Sequence, residues 1–269
     1  MFNISISLSE TKTNFGPVLF SGDLNQGLKN VSALGYNGVE LSLRDSEKID
    51  QFWLLDKLKE LNLEVYSLAT GQSYYNDGYS LCNPEENSRL RAIERMKRHI
   101  DLASKLGSMV IIGGIRGGIE LTANRDDLEI KGKLGILKCL KYAKKKNVVI
   151  LLEPINRYET NFINTLREGI EIIDELGFEN LKLLPDTFHM NIEEQSIEDS
   201  IEEAREYIGY IHFADSNRFA PGFGHINFNS IISRLYNINY KNVIGIEVLP
   251  KPSDYLAAKQ AIEFLKGII

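Results

Sequence analysis

The chain has 269 residues, 43% hydrophobic and 25% charged, which suits a single globular domain spanning 1–269 with one large core. Its formal net charge of −6 comes with no basic block, arguing against a nucleic-acid partner, and no apolar run is long enough to span a membrane. Two scattered cysteines, Cys82 and Cys139, fit a reducing compartment, and the opening MFNISISLSE reads as a strand rather than a leader, so a cytoplasmic setting is expected.

In chain order, short apolar strands are predicted over 4–8, 39–43, 65–69, 109–113, 148–152, 181–184, 210–213 and 243–248. Helical periodicity fills the intervals at 23–34, 49–61, 85–106, 130–146, 165–176, 197–207, 228–236 and 253–269. Asp23 and Thr165 are N-cap types, with Glu168 completing a capping box, and Gly35, Gly107 and Gly177 stand where C-caps belong. The lysines of 141–146 read as a solvated helix face near a C-terminus. Eight strands alternating with eight helices, without a linker, predict one closed (β/α)8 TIM barrel. A doubly wound open sheet would normally carry a glycine fingerprint after the first strand, where this chain has SETKTNFG.

Four of the later strands share one grammar. VVILLEP delivers Glu153, LKLLPD delivers Asp186, YIHF carries His212 and VIGIEVLP delivers Glu247, each a polar tip on an apolar run. Their separations of 33, 26 and 35 residues are about one βα unit each, so neighbouring staves would present them together at the catalytic end of the barrel. Three carboxylates and an imidazole suit a hard or borderline divalent ion: Mn²⁺ foremost, with Mg²⁺, Co²⁺ or Zn²⁺ as alternatives.

The loops beyond these tips add Glu159, His189 and Arg218 as substrate-binding candidates. Each has a structural alternative: Glu159 paired with Arg157, His189 capping carbonyls, Arg218 neutralising Asp215. His225 and His99 are expected to be structural. In GGIRGG, Arg116 could read a carboxylate or phosphate with the help of flanking backbone N–H groups, or simply be a surface arginine.

The strings EPINRYE, PDTFHMNIEE, HFADSNRFAPGFGHINF and GIEVLP, supported by ATGQSYYNDGYSL and IIGGIRGG, resemble the xylose-isomerase-like family of sugar isomerases and epimerases. The similarity is to its D-tagatose/D-psicose 3-epimerase branch, and within it to the 5-keto-L-gluconate epimerases. That resemblance implies that Glu153, Asp186, His212 and Glu247 hold the ion and that Glu153 and Glu247 double as acid and base. It also implies that Glu159, His189 and Arg218 hold a small sugar or sugar acid, and that the protein is a homo-oligomer. The reaction expected is inversion of the carbon beside a ketone, C3 in ketose numbering, through an enediolate stabilised by the ion, as in 5-keto-L-gluconate to D-tagaturonate. A ketose/aldose isomerase or an inosose-dehydratase-like lyase could use the same residues. An abasic-site endonuclease would need ligands for several zinc ions and a basic face for DNA, which a chain with four histidines and net charge −6 does not offer, and a non-catalytic sugar binder has little use for paired carboxylates.

Overall fold

A computed structural model describes residues 2–13, 16–120 and 123–269. Among these, parallel strands β1 (Ile4–Ser9), β2 (Gly38–Ser42), β3 (Glu64–Ala69), β4 (Met109–Ile112), β5 (Ile150–Leu152), β6 (Leu181–Leu183), β7 (Ile211–Phe213) and β8 (Ile244–Ile246) form one sheet. Its order is β6-β5-β4-β3-β2-β1-β8-β7. The sheet is closed into a barrel by bridges between the β6 and β7 segments, Leu183 to Ile208 and Asp186 to His212, as predicted.

Alternation along the strands sorts side chains between two environments. Ile4, Ile6 and Leu8 of β1, Val39 and Leu41 of β2, and Ile150 and Leu152 of β5 join the large outer core beneath the helices. The intervening residues face the barrel axis. Ser5 of β1 reaches Tyr210 beside β7 across the width of β8, a contact possible only through the interior.

The helices are α1 (Leu24–Leu34), α2 (Gln51–Leu61), α3 (Gly71–Tyr75), α4 (Glu86–Leu106), α5 (Arg125–Lys145), α6 (Leu166–Leu176), α7 (Thr187–Glu193), α8 (Ile197–Glu203), α9 (Phe228–Asn237) and α10 (Asp254–Lys266). The expected caps form: Asp23 accepts from the Gln26 N–H, Thr165 and Glu168 make a capping box, and Gly35, Gly107 and Gly177 are left-handed C-caps. Helix α5 begins earlier than its periodicity suggested, because Asn124 caps it through the Asp127 N–H. The short helices α3 and α7 were not predicted. Both begin within four residues of a strand end and carry residues of the barrel mouth, so their sequences serve that mouth rather than a 3.6-residue apolar stripe.

Candidate metal centre and active site

Glu153 lies one residue beyond β5, where its N–H still bonds to the Ile112 carbonyl at 3.1 Å and Pro154 ends the pairing. Asp186 leaves β6 and caps α7, one oxygen accepting the Phe188 N–H at 2.8 Å. His212 is the central residue of β7, and Glu247 follows β8. Each of the four offers one ligand atom, and these atoms all lie within 4.8 Å of one another. All four residues are buried, none more than 7% exposed.

Glycines make the convergence possible. A Cβ at Gly113 would stand 2.2 Å from Glu153 Oε2, so the end of β4 must be bare for that carboxylate to lie against it. A Cβ at Gly245 would meet the Tyr210 hydroxyl at 2.5 Å and the His212 ring at 2.9 Å, so β8 yields its central position to its neighbours.

Around the cluster is a cavity open to solvent, to which Tyr75, Ile155, Glu159, His189 and Arg218 contribute walls. Glu159 pairs with Arg218 at 3.3 Å, whereas Arg157 pairs with Glu193 at 2.8 Å, so the alternative of an Arg157–Glu159 pair is not the arrangement adopted. Arg218 also bonds Glu247 Oε2 at 2.8 Å and covers the Phe188 ring with its Cζ 4.7 Å from the centroid. Its backbone sits at φ 61°, an uncommon region for a side-chain-bearing residue. It is held there by its own N–H to the Asp215 carbonyl at 2.7 Å and by the Leu249 N–H to its carbonyl at 2.9 Å. The Asp215 carboxylate instead accepts backbone N–H groups from Ser216, Gly222 and Ile226, which orders the loop.

Asn156, which the sequence reading did not single out, is 1% exposed and donates from Nδ2 to Glu159 Oε1 at 3.0 Å and to His189 Nδ1 at 2.7 Å. With Nδ1 accepting, the proton of a neutral His189 is on Nε2, the atom 3.7 Å from Asp186 Oδ2 and 3.9 Å from Glu153 Oε1. Burial, reinforced by Arg218, holds the His189 pKa well below the ordinary imidazole value, so the ring stays neutral. His99 and His225 are outside this group: His99 sits between the Arg95 and Leu43 carbonyls, and His225 bonds the Ser216 hydroxyl.

Arg116 requires a correction. The expectation was either a receptor for a substrate anion or a surface arginine, but it does not line the cavity and is 0% exposed. Its guanidinium donates to three carbonyls of the loop after β5: Glu153 at 2.6 Å, Phe162 at 2.8 Å and Ile163 at 3.1 Å. The last of these has φ 63°, an outlier for a β-branched residue, and the planar fork holds that loop in place. The glycines of GGIRGG serve this burial: Gly117 has φ 75°, and its Cβ would clash with Ser80. The other unanticipated charge is Glu40, inside the barrel on β2, whose Oε2 faces His212 Nε2 at 2.9 Å. A carboxylate interrupting the apolar run GVELS was the signal for it.

The donor set fits a divalent cation on its own chemistry. Asp186 Oδ2 and His212 Nδ1 are buried with no hydrogen-bond partner among the described residues, an arrangement that is costly unless something positive is shared between them. Burial pushes the Glu247 carboxyl up to about 8 and that of Asp186 up to about 6, with Arg218 opposing both shifts and neighbouring carboxylates adding to them. A cation relieves that crowding.

Such a barrel, with buried carboxylates and an imidazole converging at the C-terminal strand ends beneath a walled cavity, is the architecture of a barrel enzyme with a divalent-metal site. The comparisons carry the identification further. Residues 28–268 match the family described as Xylose isomerase-like TIM barrel, and the chain belongs to that family. It is 31% identical over 235 residues to the D-psicose 3-epimerase of Enterocloster bolteae, covering 84% of this chain and 76% of that protein. It is 30% identical over 275 residues to the L-ribulose 3-epimerase of Methylomonas sp., covering 93% and 94%. A solved structure of L-ribulose 3-epimerase superposes with a TM-score of 0.84 at 26% identity, covering 99% of this chain and 94% of that one. These relatives are named epimerases, which are isomerases, and the chain is an enzyme of that class. Among the described residues, no helix is long and apolar enough to cross a membrane.

Proposed function

We propose that this protein is a divalent-metal-dependent ketose epimerase that inverts the carbon next to the ketone, C3 in ketose numbering. The observation that carries the proposal is the meeting of Glu153, Asp186, His212 and Glu247 within 4.8 Å at the strand tips, two of them glutamates from non-neighbouring strands. Those four residues would hold the ion, with Mn²⁺ as the best match to a set of three carboxylates and one imidazole. When bound, the ion supplies Lewis-acid polarisation of the ketone oxygen.

The residues of the chain do the rest. Inversion requires a proton to leave one face of the carbon and another to arrive on the opposite face, hence two carboxyl groups flanking the sugar. Glu153 and Glu247 fill these roles, exchanging acid and base with the direction of reaction. His189, with its proton fixed on Nε2 by Asn156, and Arg218, pinned by its backbone, orient the sugar oxygens, and Glu159 accepts from a hydroxyl.

The finer reading, conversion of 5-keto-L-gluconate to D-tagaturonate, rests on the resemblance of the loop strings. With Arg116 committed to carbonyls, Arg218 is the guanidinium that would meet a substrate carboxylate. Composition and the absence of a linker support a single-domain, cytoplasmic protein, and the family resemblance supports a homo-oligomer. The test is a screen of neutral ketoses and keto-uronates with added Mn²⁺ in deuterated water. Product carrying deuterium at C3 is expected; turnover without solvent deuterium at C3 would contradict the two-carboxyl scheme.

A further inference from the structure

We infer that Glu40 is a positioning residue for His212: its carboxylate fixes the imidazole as the Nε2–H tautomer, in the ring orientation that turns the Nδ1 lone pair into the cluster. The inference rests on the metal-centre reading above, but the contacts that support it are those of the protein alone.

Glu40 is the third residue of β2, a strand otherwise composed of Gly38, Val39, Leu41 and Ser42, and it is 1% exposed. A buried carboxylate is costly unless its oxygens are occupied by donors. Here Ser7 of β1 donates to Oε1 at 3.1 Å, and Ser67 of β3 donates to Oε2 at 2.7 Å. The same Oε2 stands 2.9 Å from His212 Nε2. Three strands therefore aim donors at one side chain, and the third donor is the ring of a cluster residue.

The tautomer follows from the inventory of donors. A carboxylate only accepts, so the ring nitrogen facing it carries the hydrogen, and in the neutral ring the other nitrogen is then a bare acceptor. That other atom, Nδ1, has no hydrogen-bond partner among the described residues, and Glu153 Oε1 lies 3.8 Å away. The ring cannot turn to exchange its nitrogens freely: Tyr210 packs edge-on at 5.3 Å, and its hydroxyl is anchored to Ser5. Gly245 supplies the space in which both rings fit. Glu40 does not line the cavity, so it acts on the chemistry through His212 and not on substrate. Carboxylates behind ligating imidazoles orient the ring and raise its basicity, and their loss typically weakens metal affinity roughly 10- to 100-fold.

Calorimetric titration of Mn²⁺ into the metal-free protein tests this, comparing wild type with Glu40→Gln and Ser7→Ala. Glu40→Gln is expected to keep the far-UV circular dichroism of the wild type while binding roughly 10- to 100-fold more weakly. Ser7→Ala removes a hydroxyl from the same carboxylate without touching His212 and is expected to bind like wild type. Wild-type affinity in Glu40→Gln, or equal losses in both variants, would overturn the inference and leave the metal centre standing. A wild-type protein that takes up no ion would overturn both. Should Glu40→Gln fail to fold, nitrogen-15 NMR of the imidazoles in Zn²⁺-loaded wild type, with four histidines to assign, gives the same answer. Hydrogen on Nε2 of His212 is expected there, and a bare Nε2 would overturn the inference.

Discussion

Strands β5, β6 and β8 run out to Glu153, Asp186 and Glu247 and β7 carries His212 at its centre, whereas β1 and β2 end at Ser9 and Ser42, whose hydroxyls are engaged by Gln72 at 2.8 and 3.1 Å. The end of β4 is lowered to Gly113, against which Glu153 lies. One half of the barrel thus brings charge to the mouth, and the other brings space and neutral hydrogen bonds, keeping its carboxylate, Glu40, behind His212. The difference teaches that a cation site is focused as much by the side that withholds charge as by the side that supplies it. A second set of carboxylates at the mouth would spread the negative potential and raise the cost of burying each.

This division can be broken from either side. The largest effect is expected from the charged half: Glu247→Gln should keep the fold but lower turnover by on the order of 10²- to 10⁴-fold, the usual worth of a positioned acid or base. Steady-state kinetics beside circular dichroism check it, and a rate within about tenfold of wild type would remove Glu247 from the proton path. Next comes the half that supplies space. Gly113→Ala places a methyl group 2.2 Å from Glu153 Oε2, and displacing that carboxylate by an ångström should cost about 10²-fold in kcat/KM. Unchanged kinetics would mean that Glu153 needs no such fit.

Arg116 tests the boundary between the halves, since it joins the loop after β4 to the loop after β5. Arg116→Met leaves three buried carbonyls without their donor and should lower stability by roughly 3 kcal/mol, read by urea unfolding. Activity on neutral ketoses and on keto-uronates should fall in parallel; a loss confined to the acids would restore Arg116 as an anion receptor. The smallest effect concerns His99, buried on α4 away from the cavity, where burial lowers its pKa below the usual 6.5. As pH falls below 6.5, the unfolded chain takes up a proton that the folded chain resists, so the folded state loses stability through that window. In His99→Gln the acid limb of the melting temperature against pH should flatten while activity at pH 7 stays as in wild type. An unaltered limb would show that His99 does not titrate in this way.

The strand–helix alternation was legible because a buried parallel strand is a run of aliphatic residues, and its punctuation, from Asp23 to Gly177, is local chemistry. The four tips were legible for the complementary reason: a carboxylate or imidazole at the end of such a run has no apolar role. What escaped was what depends on contacts across the barrel. Glu40 pairs with a residue 172 positions away, and nothing in GVELS names His212. Asn156 lies within a string already quoted, EPINRYE, but its importance comes from facing both Glu159 and His189. Arg116 was misjudged because a Gly-flanked arginine looks exposed, whereas here the glycines let the backbone fold over a buried guanidinium.

The central claim is that Glu153, Asp186, His212 and Glu247 hold a single ion on which epimerisation depends. Elemental analysis of chelator-stripped protein re-titrated with Mn²⁺, with ketose epimerisation followed at each addition, tests it most directly. The account predicts that activity vanishes on stripping, returns in proportion to the ion bound and saturates at one ion per chain, with Asp186→Asn recovering neither uptake nor activity. Full activity in the stripped protein, or undiminished uptake by Asp186→Asn, would contradict it.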